Sequence, residues 1–357
     1  MTNLLQAPAR LALAGLLVLL AGCDTVVMKP SGDVAAQQAQ LIVASTLLML
    51  LIIVPVIALT LLFAWRYRQS NASATYTPDW DHSTRLELVI WGAPLLIIIA
   101  LGALTWISTH KLDPYRPLER IDAERALPAD TKPLVVQVVA LDWKWLFVYP
   151  EQGIATVNEL AAPVDRPIQF RITASNVMNS FYIPALAGQI YAMPGMETQL
   201  HAVINKAGRY EGFSANYSGG GFSDMRFQFH GLSDADFQRW VDGNKARGEP
   251  LTRAAYLKLE QPSSREPVRR YASVDAELWH AILNRCVDGS KMCMHQMMAI
   301  DAAGGLGKPG IDGLAKQAWR SADGSTLQRS VVASAAVCTP ANPTGTALPA
   351  ATLAAAQ

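Results

Sequence analysis

The sequence predicts a two-helix transmembrane hairpin followed by an all-β sandwich, with short helices after it. Two long apolar runs lie before residue 110, and each is long enough to cross about 30 Å of hydrocarbon as a helix. From residue 134 onward, apolar residues recur at every second position in several short stretches, which is typical of half-buried strands. With 357 residues, the chain can form one sizeable folded domain beside these membrane segments.

The composition narrows the classes of partner. Hydrophobic residues make up 51% of the chain, which is high for a purely soluble protein and fits a few membrane spans. Lys and Arg total 30 against 29 Asp and Glu, so no strong basic field favours nucleic acid as a partner. The four cysteines are too few for a disulfide-based scaffold.

Residues 1–22 are typical of a bacterial secretory signal peptide. A thin positive region at Arg10 precedes the apolar run Leu11–Leu20, which ends in Leu-Ala-Gly-Cys23, a lipobox. Cleavage before Cys23 would leave its thiol to carry diacylglycerol, and two or three acyl chains anchor a protein stably. The following Asp24 resembles a signal for retention in the inner membrane. The alternative is an uncleaved signal anchor with an ordinary cysteine.

A lipidated, polar connector over residues 23–40 leads into the predicted spans, residues 41–64 and 88–107. Lipid is attached on the outer face of the inner membrane, so Cys23 is expected in the periplasm. The loop between the spans is then cytoplasmic, and the remainder of the chain returns to the periplasm. Three arginines in that loop agree with the positive-inside rule.

Glu87 opens the second span at its cytoplasmic edge. A carboxylate near membrane depth is costly, which suggests a place on a proton or ion path. The alternative is an interfacial glutamate that is solvated or paired with Arg85.

Residues 109–132 form a Pro- and charge-rich linker, and residues 133–231 form the predicted β domain. Turn signals such as Pro194-Gly195 separate its strands. A series of short strands with such turns predicts a small β-sandwich or Greek-key barrel of the cupredoxin type. The predicted strands are Leu134–Leu141, Trp143–Tyr149, Ile168–Ala174, Gln189–Ala192, Thr198–Ile204, Tyr210–Ala215 and Arg226–Phe229.

Four long motifs follow one another along this domain. They are Ala-Leu-Asp-Trp-Lys-Trp-Leu-Phe-Val-Tyr-Pro150, Asn176-Val-Met-Asn-Ser-Phe-Tyr-Ile-Pro184, Gln189-Ile-Tyr-Ala-Met-Pro-Gly-Met196 and Ser214–Met225. In this order they resemble subunit II of the haem–copper respiratory oxidases, specifically the quinol-oxidising branch, from about Cys23 to about Trp240. The resemblance implies an inner-membrane protein with a cupredoxin-like domain in the periplasm.

The fourth motif matches the spacing of a dinuclear copper loop but lacks its chemistry. In copper-bearing relatives this loop supplies two Cys, a Glu, a His and a Met, and a second His lies upstream. Copper prefers thiolate and imidazole ligands, and a serine hydroxyl stays protonated near neutral pH, so we expect hydrogen bonds here and no metal. A contact with quinol or a residual metal is the alternative. The matching positions are Asn179, Ser214, Asn216, Ser218, Phe222 and Met225. Of these, only Met225 keeps the residue type that binds copper in the relatives.

The resemblance implies a subunit with no catalytic residue and no cofactor of its own. Haems, the remaining copper and ubiquinol are expected in subunit I, and the expected partners are subunits I, III and IV and membrane lipid. Glu87 resembles the carboxylate at the entrance of a proton channel through subunit I. Cytochrome c is not an expected partner, because quinol delivers electrons from within the bilayer.

Residues 232–300 are predicted to be mainly helical and to pack on the sandwich or on neighbouring subunits. Ser233 is a good N-cap for the first of these helices. The predicted helices are Asp234–Lys245, Thr252–Leu259 and Asp275–Arg285.

The segment Cys286–Met298 contains two thiols, one imidazole and four methionines. A disulfide between Cys286 and Cys293 is expected in an oxidising periplasm, and a Cu(I) site is the alternative. Residues 301–357 are rich in Ala, Gly, Pro, Ser and Thr and are predicted to be disordered, with Cys338 as an odd thiol.

Two other functions are alternatives to a quinol oxidase subunit. A cytochrome c oxidase subunit II with intact electron transfer requires two Cys and two His that are absent from the matching positions. A free-standing membrane lipoprotein could instead bind or deliver copper through Cys286–Met298. Co-purification with a haem-bearing membrane protein distinguishes the oxidase subunit from such a chaperone.

Overall fold

A computed structural model describes residues 25–75, 77–128 and 130–302. The predicted signal peptide and lipidated Cys23 lie outside the described residues. So do Cys338 and all but the first two residues of the predicted disordered tail.

Two long helices form the N-terminal hairpin, α1 (Asp33–Arg66) and α2 (Thr84–Lys111). Both are long and apolar enough to cross a membrane, and almost none of their apolar surface is buried within the chain. At about 1.5 Å per residue, α1 is roughly 50 Å long, which exceeds the hydrocarbon core. The predicted polar connector through residue 40 is therefore helical from Asp33, because its Ala- and Gln-rich sequence extends the span above the membrane.

The β domain is a two-layer sandwich that begins directly after the linker. One sheet has the strand order β11-β12-β3-β2-β1-β5-β8, and the other has the order β4-β10-β9-β6-β7. The strands are β1 (Leu134–Leu141), β2 (Lys144–Tyr149), β3 (Ile154–Val157), β4 (Glu159–Pro163), β5 (Pro167–Ala174), β6 (Asn179–Tyr182), β7 (Ile190–Ala192), β8 (Thr198–Val203), β9 (Gly208–Ser214), β10 (Arg226–Leu232), β11 (Glu249–Leu251) and β12 (Arg269–Val274).

Aromatic side chains fill the space between the two sheets. Trp145, Phe147 and Tyr149 alternate along β2 and are fully buried. The rings of Phe181 and Phe227 stack beneath them at a centroid distance of 5.5 Å. These three β2 residues are therefore core residues and are not available for contact with a neighbouring subunit.

The C-terminal region contains two short strands beside the predicted helices, and the sequence analysis did not predict these strands. Strands β11 and β12 extend the larger sheet at its β3 edge, where β12 pairs antiparallel with β3. A second apolar cluster forms between this edge and the nearby helices. The helices are α3 (Asp234–Arg247), α4 (Arg253–Glu260), α5 (Leu278–Leu283) and α6 (Met294–Ala302).

Candidate functional site

Asn179 and Ser214 lie side by side at one end of the smaller sheet. Asn179 begins β6, Ser214 ends β9, and both side chains are buried. The Ser214 hydroxyl donates to Asn179 Oδ1 at 3.0 Å, and Asn179 Nδ2 donates to the Val177 carbonyl at 3.2 Å. These two polar groups therefore bond to each other at positions where copper-bearing relatives have a thiolate and an imidazole.

The other positions of the loop are held by separate contacts. Asn216 Nδ2 donates to the Met178 carbonyl at 3.4 Å. The Ser218 hydroxyl is buried and has no hydrogen-bond partner within the described chain. The ring of Phe222 packs against the exposed Tyr217 at a centroid distance of 5.8 Å.

Met225 closes the loop from the domain interior. Its side chain is buried in the main core, and its carbonyl accepts the Ser214 N–H at 3.1 Å. The structure thus gathers all six predicted positions at one end of the sandwich, but only Asn179 and Ser214 join side chain to side chain. Neutral amide and hydroxyl oxygens with a single thioether make a poor copper donor set.

Trp143 supports the loop from below, and sequence analysis did not assign it this role. Its indole Nε1 donates to the Ser218 carbonyl at 2.9 Å. A β-carbon placed on Gly221 would lie 2.5 Å from the indole ring, and one on Gly219 would lie 2.9 Å from it. Gly219 also has φ +116°, which L side chains rarely adopt. Gly219 and Gly221 thus let the backbone lie against the indole, and this part of the loop is shaped by packing on an aromatic ring.

Glu87 lies in the first turn of α2, where the helix dipole favours a carboxylate. Its Oε1 is 2.7 Å from Nδ1 of His82, and both side chains are at least half exposed. The other ring nitrogen of His82 is 3.1 Å from the Thr84 hydroxyl. The partner of Glu87 within the described chain is therefore His82 and not Arg85.

Cys286 and Cys293 are joined by a disulfide that closes the turn between α5 and α6. Both cysteines are buried. In this state their sulfurs are not thiolates, and they are not available as the Cu(I) ligands of the alternative interpretation. The sulfur of Met294 packs against Gly195, where a β-carbon would clash with it. This contact holds the turn against the third sequence motif.

Glu159 forms an ion cluster that sequence reasoning missed. Arg270 donates to both of its carboxylate oxygens at 3.0 Å, and His230 Nε2 lies 3.6 Å away. Burial alone would raise the pKa of Glu159, but the nearby His230 and the hydrogen-bonded Arg270 outweigh it and lower that pKa to about 2. No local sequence pattern links these residues, because Glu159 and Arg270 are 111 positions apart.

Lys144 is a second buried group that holds the C-terminal region to the sandwich. Its ammonium donates to the Gln261 carbonyl at 2.8 Å and to the Ser263 hydroxyl at 2.6 Å. Burial lowers the pKa of Lys144, and the charge of Glu266 opposes that effect. The sequence signal for this site was a lysine placed between two tryptophans. Such a lysine is expected to be buried, and a buried ammonium requires several hydrogen-bond acceptors.

Two family models match the chain. The model described as "Cytochrome C oxidase subunit II, periplasmic domain" matches residues 151–230, and "COX Aromatic Rich Motif" matches residues 245–290. The second match extends the resemblance past Trp240, where the sequence motifs alone had ended it. The fold and these matches define the class of protein as an oxidase subunit II with a cupredoxin-like domain.

Curated relatives give the branch within that class. "Cytochrome bo(3) ubiquinol oxidase subunit 2" of Pseudomonas putida is 50% identical over 75% of this chain and 83% of its own length. "Ubiquinol oxidase subunit 2" of Acetobacter aceti is 51% identical over 81% of this chain and 92% of its own length. "Quinol oxidase subunit 2" of Bacillus subtilis is 38% identical over 71% of this chain and 77% of its own length. The chain belongs to the ubiquinol oxidase subunit 2 family, and these relatives do not favour the free-standing copper lipoprotein.

Proposed function

We propose that this chain is the non-redox subunit II of a proton-pumping ubiquinol oxidase in the bacterial inner membrane. The observation that carries the proposal is the pair Asn179–Ser214, which is hydrogen-bonded within the scaffold of a subunit II domain. A cupredoxin-like shell with neutral side chains at these positions has no basis for storing an electron. Its role is then to support chemistry that a neighbouring subunit performs.

The electron source explains why such a shell is sufficient. Quinol is an apolar donor that reaches the complex from within the bilayer, so no relay from a soluble cytochrome c is required. We place the haems, the remaining copper and the quinol in subunit I, with subunits III and IV completing the complex. The complex would oxidise ubiquinol, reduce oxygen to water and move protons outward.

An apolar rim around the loop supports docking to a partner subunit. The rim consists of exposed side chains from the second, third and fourth sequence motifs. Such side chains cluster at protein interfaces more often than on free surfaces. The rim residues are Val177, Met178, Tyr191, Met196 and Tyr217.

The choice of electron donor tests the proposal. The complex that co-purifies with this chain should contain haem, consume oxygen with ubiquinol and remain inactive with reduced cytochrome c. Metal analysis with optical spectroscopy should find no dinuclear copper centre in the separated subunit. Oxygen consumption driven by cytochrome c, or a dinuclear copper spectrum from this chain, would contradict the proposal.

Glu87 is the residue that we propose collects protons at the cytoplasmic edge. Its carboxylate lies at the start of a span and is joined to the titratable imidazole of His82. Glu87→Gln keeps the side-chain volume and removes the charge, so oxygen reduction by the complex should slow several-fold. Glu124→Gln is the matched control, because Glu124 is exposed in the periplasmic linker. Equal turnover in both variants would mean that Glu87 is a surface charge with no role in proton uptake.

Lipidation of Cys23 is a separate proposal that rests on the lipobox. Cells grown with radiolabelled palmitate should label the wild-type chain and not the Cys23→Ser variant. The variant should still reach the membrane, because α1 and α2 both span it. Labelling that persists in the variant would exclude this site.

A further inference from the structure

His280 and His295 are brought together on the surface of the C-terminal region. His280 lies in α5 and His295 in α6, and both are exposed. Their ring centroids are 5.5 Å apart, and the rings are inclined at 56°. The disulfide between Cys286 and Cys293 joins the ends of the two helices, so the separation of the rings is set by a covalently closed turn.

This separation suits two ligands on one ion. With metal–nitrogen bonds of about 2.0–2.1 Å, two imidazoles on one tetrahedral ion hold their ring centroids roughly 5 to 6 Å apart. Asn284 links the two helices, because its Nδ2 donates to the ring nitrogen Nε2 of His280 at 3.2 Å and its Oδ1 accepts the backbone N–H of His295 at 3.3 Å. Nε2 of His280 accepts this bond through the lone pair that binds metals, so a metal bound at Nε2 would replace the Asn284 donor.

We propose that His280 and His295 form a surface site for a divalent transition metal, with copper(II) bound most tightly. Imidazole suits zinc, nickel and copper, and affinities for a given site increase toward copper(II). Met298 lies three residues after His295 on the same side of α6 and is exposed, so its thioether can add a soft ligand. Within the described chain no three His, Cys, Asp or Glu side chains group to hold a metal, so water completes the coordination.

The site is distinct from the former copper loop and does not depend on the proposed oxidase function. It uses two imidazoles from the C-terminal helices, whereas the loop lies at the ends of β6 and β9. Met294 is excluded as a ligand, because its sulfur is packed against Gly195. The proposed metal would therefore bind at the C-terminal helices and not at the ends of β6 and β9.

Metal titration of the full-length chain in detergent tests the site. Copper(II), nickel(II) and zinc(II) are titrated by calorimetry, and the copper(II) complex is examined by electron paramagnetic resonance. One equivalent should bind with hyperfine splitting from imidazole nitrogen, and affinity should be highest for copper(II). His280→Ala and His295→Ala should each weaken binding at least tenfold, whereas the control His110→Ala, at the far end of α2, should not.

Two outcomes would overturn the site. One is an unchanged affinity in both histidine variants, and the other is half-saturation reached only at millimolar metal. A Cys286→Ser/Cys293→Ser variant tests whether the closed turn sets the geometry, and it should bind copper(II) several-fold more weakly while both imidazoles remain. Equal affinity in that variant would refute the role of the disulfide.

Discussion

At the scale of single residues, the loop is shaped by what it packs on. The indole of Trp143 packs directly against the backbone of the glycine segment 219–221, which has no side chains to keep it away. The Trp143 Nε1–Ser218 hydrogen bond fixes the indole beneath the loop. The conformation of this loop is thus maintained by an aromatic ring and a few neutral hydrogen bonds.

Gly221→Ala should destabilise the domain, because its β-carbon would lie 2.5 Å from the indole of Trp143. Forcing a methyl group into such a contact costs about 1–3 kcal/mol. Gly220→Ala is the matched control, since a β-carbon there meets nothing within 4 Å. Thermal unfolding of the full-length chain in detergent should show a lower Tm for Gly221→Ala only, with altered tryptophan fluorescence. Equal Tm values for the two variants would mean that the indole moves aside freely.

The positions of this loop could be predicted from the sequence, but their contacts could not. The spacing of Ser214, Ser218 and Met225 identifies the loop, because ligand identity at fixed intervals is local information. The hydrogen bond between Trp143 and Ser218 joins residues that are 75 positions apart, so no local sequence pattern predicts it. The pairing of Glu87 with His82 was missed for a different reason, because Arg85 was the basic partner that the sequence offered closest to Glu87.

At the scale of elements, the main strands were predictable and the shortest ones were not. The alternation in β5 and β8 gave their positions, and the apolar run that forms β1 begins and ends where predicted. Strands β3 and β4 are buried on both faces, so they show no alternation, and Asn158 turns the chain between them with φ 56°. Strands β11 and β12 depend on the edge of β3, which makes them a tertiary feature that periodicity does not report.

The ion cluster at Glu159 should make the attachment of β12 sensitive to acid. The pKa of Glu159 is about 2 in the folded chain against an ordinary value of 4.5, so its stabilisation is fully present above pH 4.5. The stabilisation, on the order of 3 kcal/mol, is lost as the pH falls toward 2. Glu159→Gln should therefore lower stability at pH 6 and show a weaker loss of Tm between pH 5 and 2.

The matched control for Glu159 is Glu211→Gln. Glu211 also pairs with an arginine, Arg226, at 2.8 Å, but both side chains are at least half exposed. Exposed ion pairs contribute about 0–1 kcal/mol, so this variant should keep the Tm profile of the wild type. If the two variants lose stability equally with acid, the buried cluster has no special role.

At the scale of the whole molecule, the membrane hairpin and the sandwich meet in a junction that the sequence did not predict. The first turns of α1 rise above the expected hydrocarbon and are buried against the domain, with Asp33 at 4% exposure. A β-carbon on Gly32 would lie 2.6 Å from the Val203 carbonyl, so the backbone at Gly32 abuts the sandwich directly. The segment assigned from its polarity to a connector is thus a rigid part of the interface.

Asp33→Ala should loosen this junction. Asp33 Oδ2 accepts hydrogen bonds from Arg120 at 2.9 Å and from Gln37 at 2.8 Å, and it ties α1 to the linker after α2. Breaking a buried pair costs about 3–5 kcal/mol, and the 40% exposure of Arg120 reduces the expected loss to about 1–3 kcal/mol.

Glu119→Ala is the matched control, since it breaks the Arg116–Glu119 pair in the same linker but Glu119 is 76% exposed. Limited proteolysis in detergent should cleave the linker faster in Asp33→Ala than in Glu119→Ala, because only the first variant releases the linker from the helix. Equal cleavage rates would show that the apolar contacts of α1 hold the junction without this ion pair.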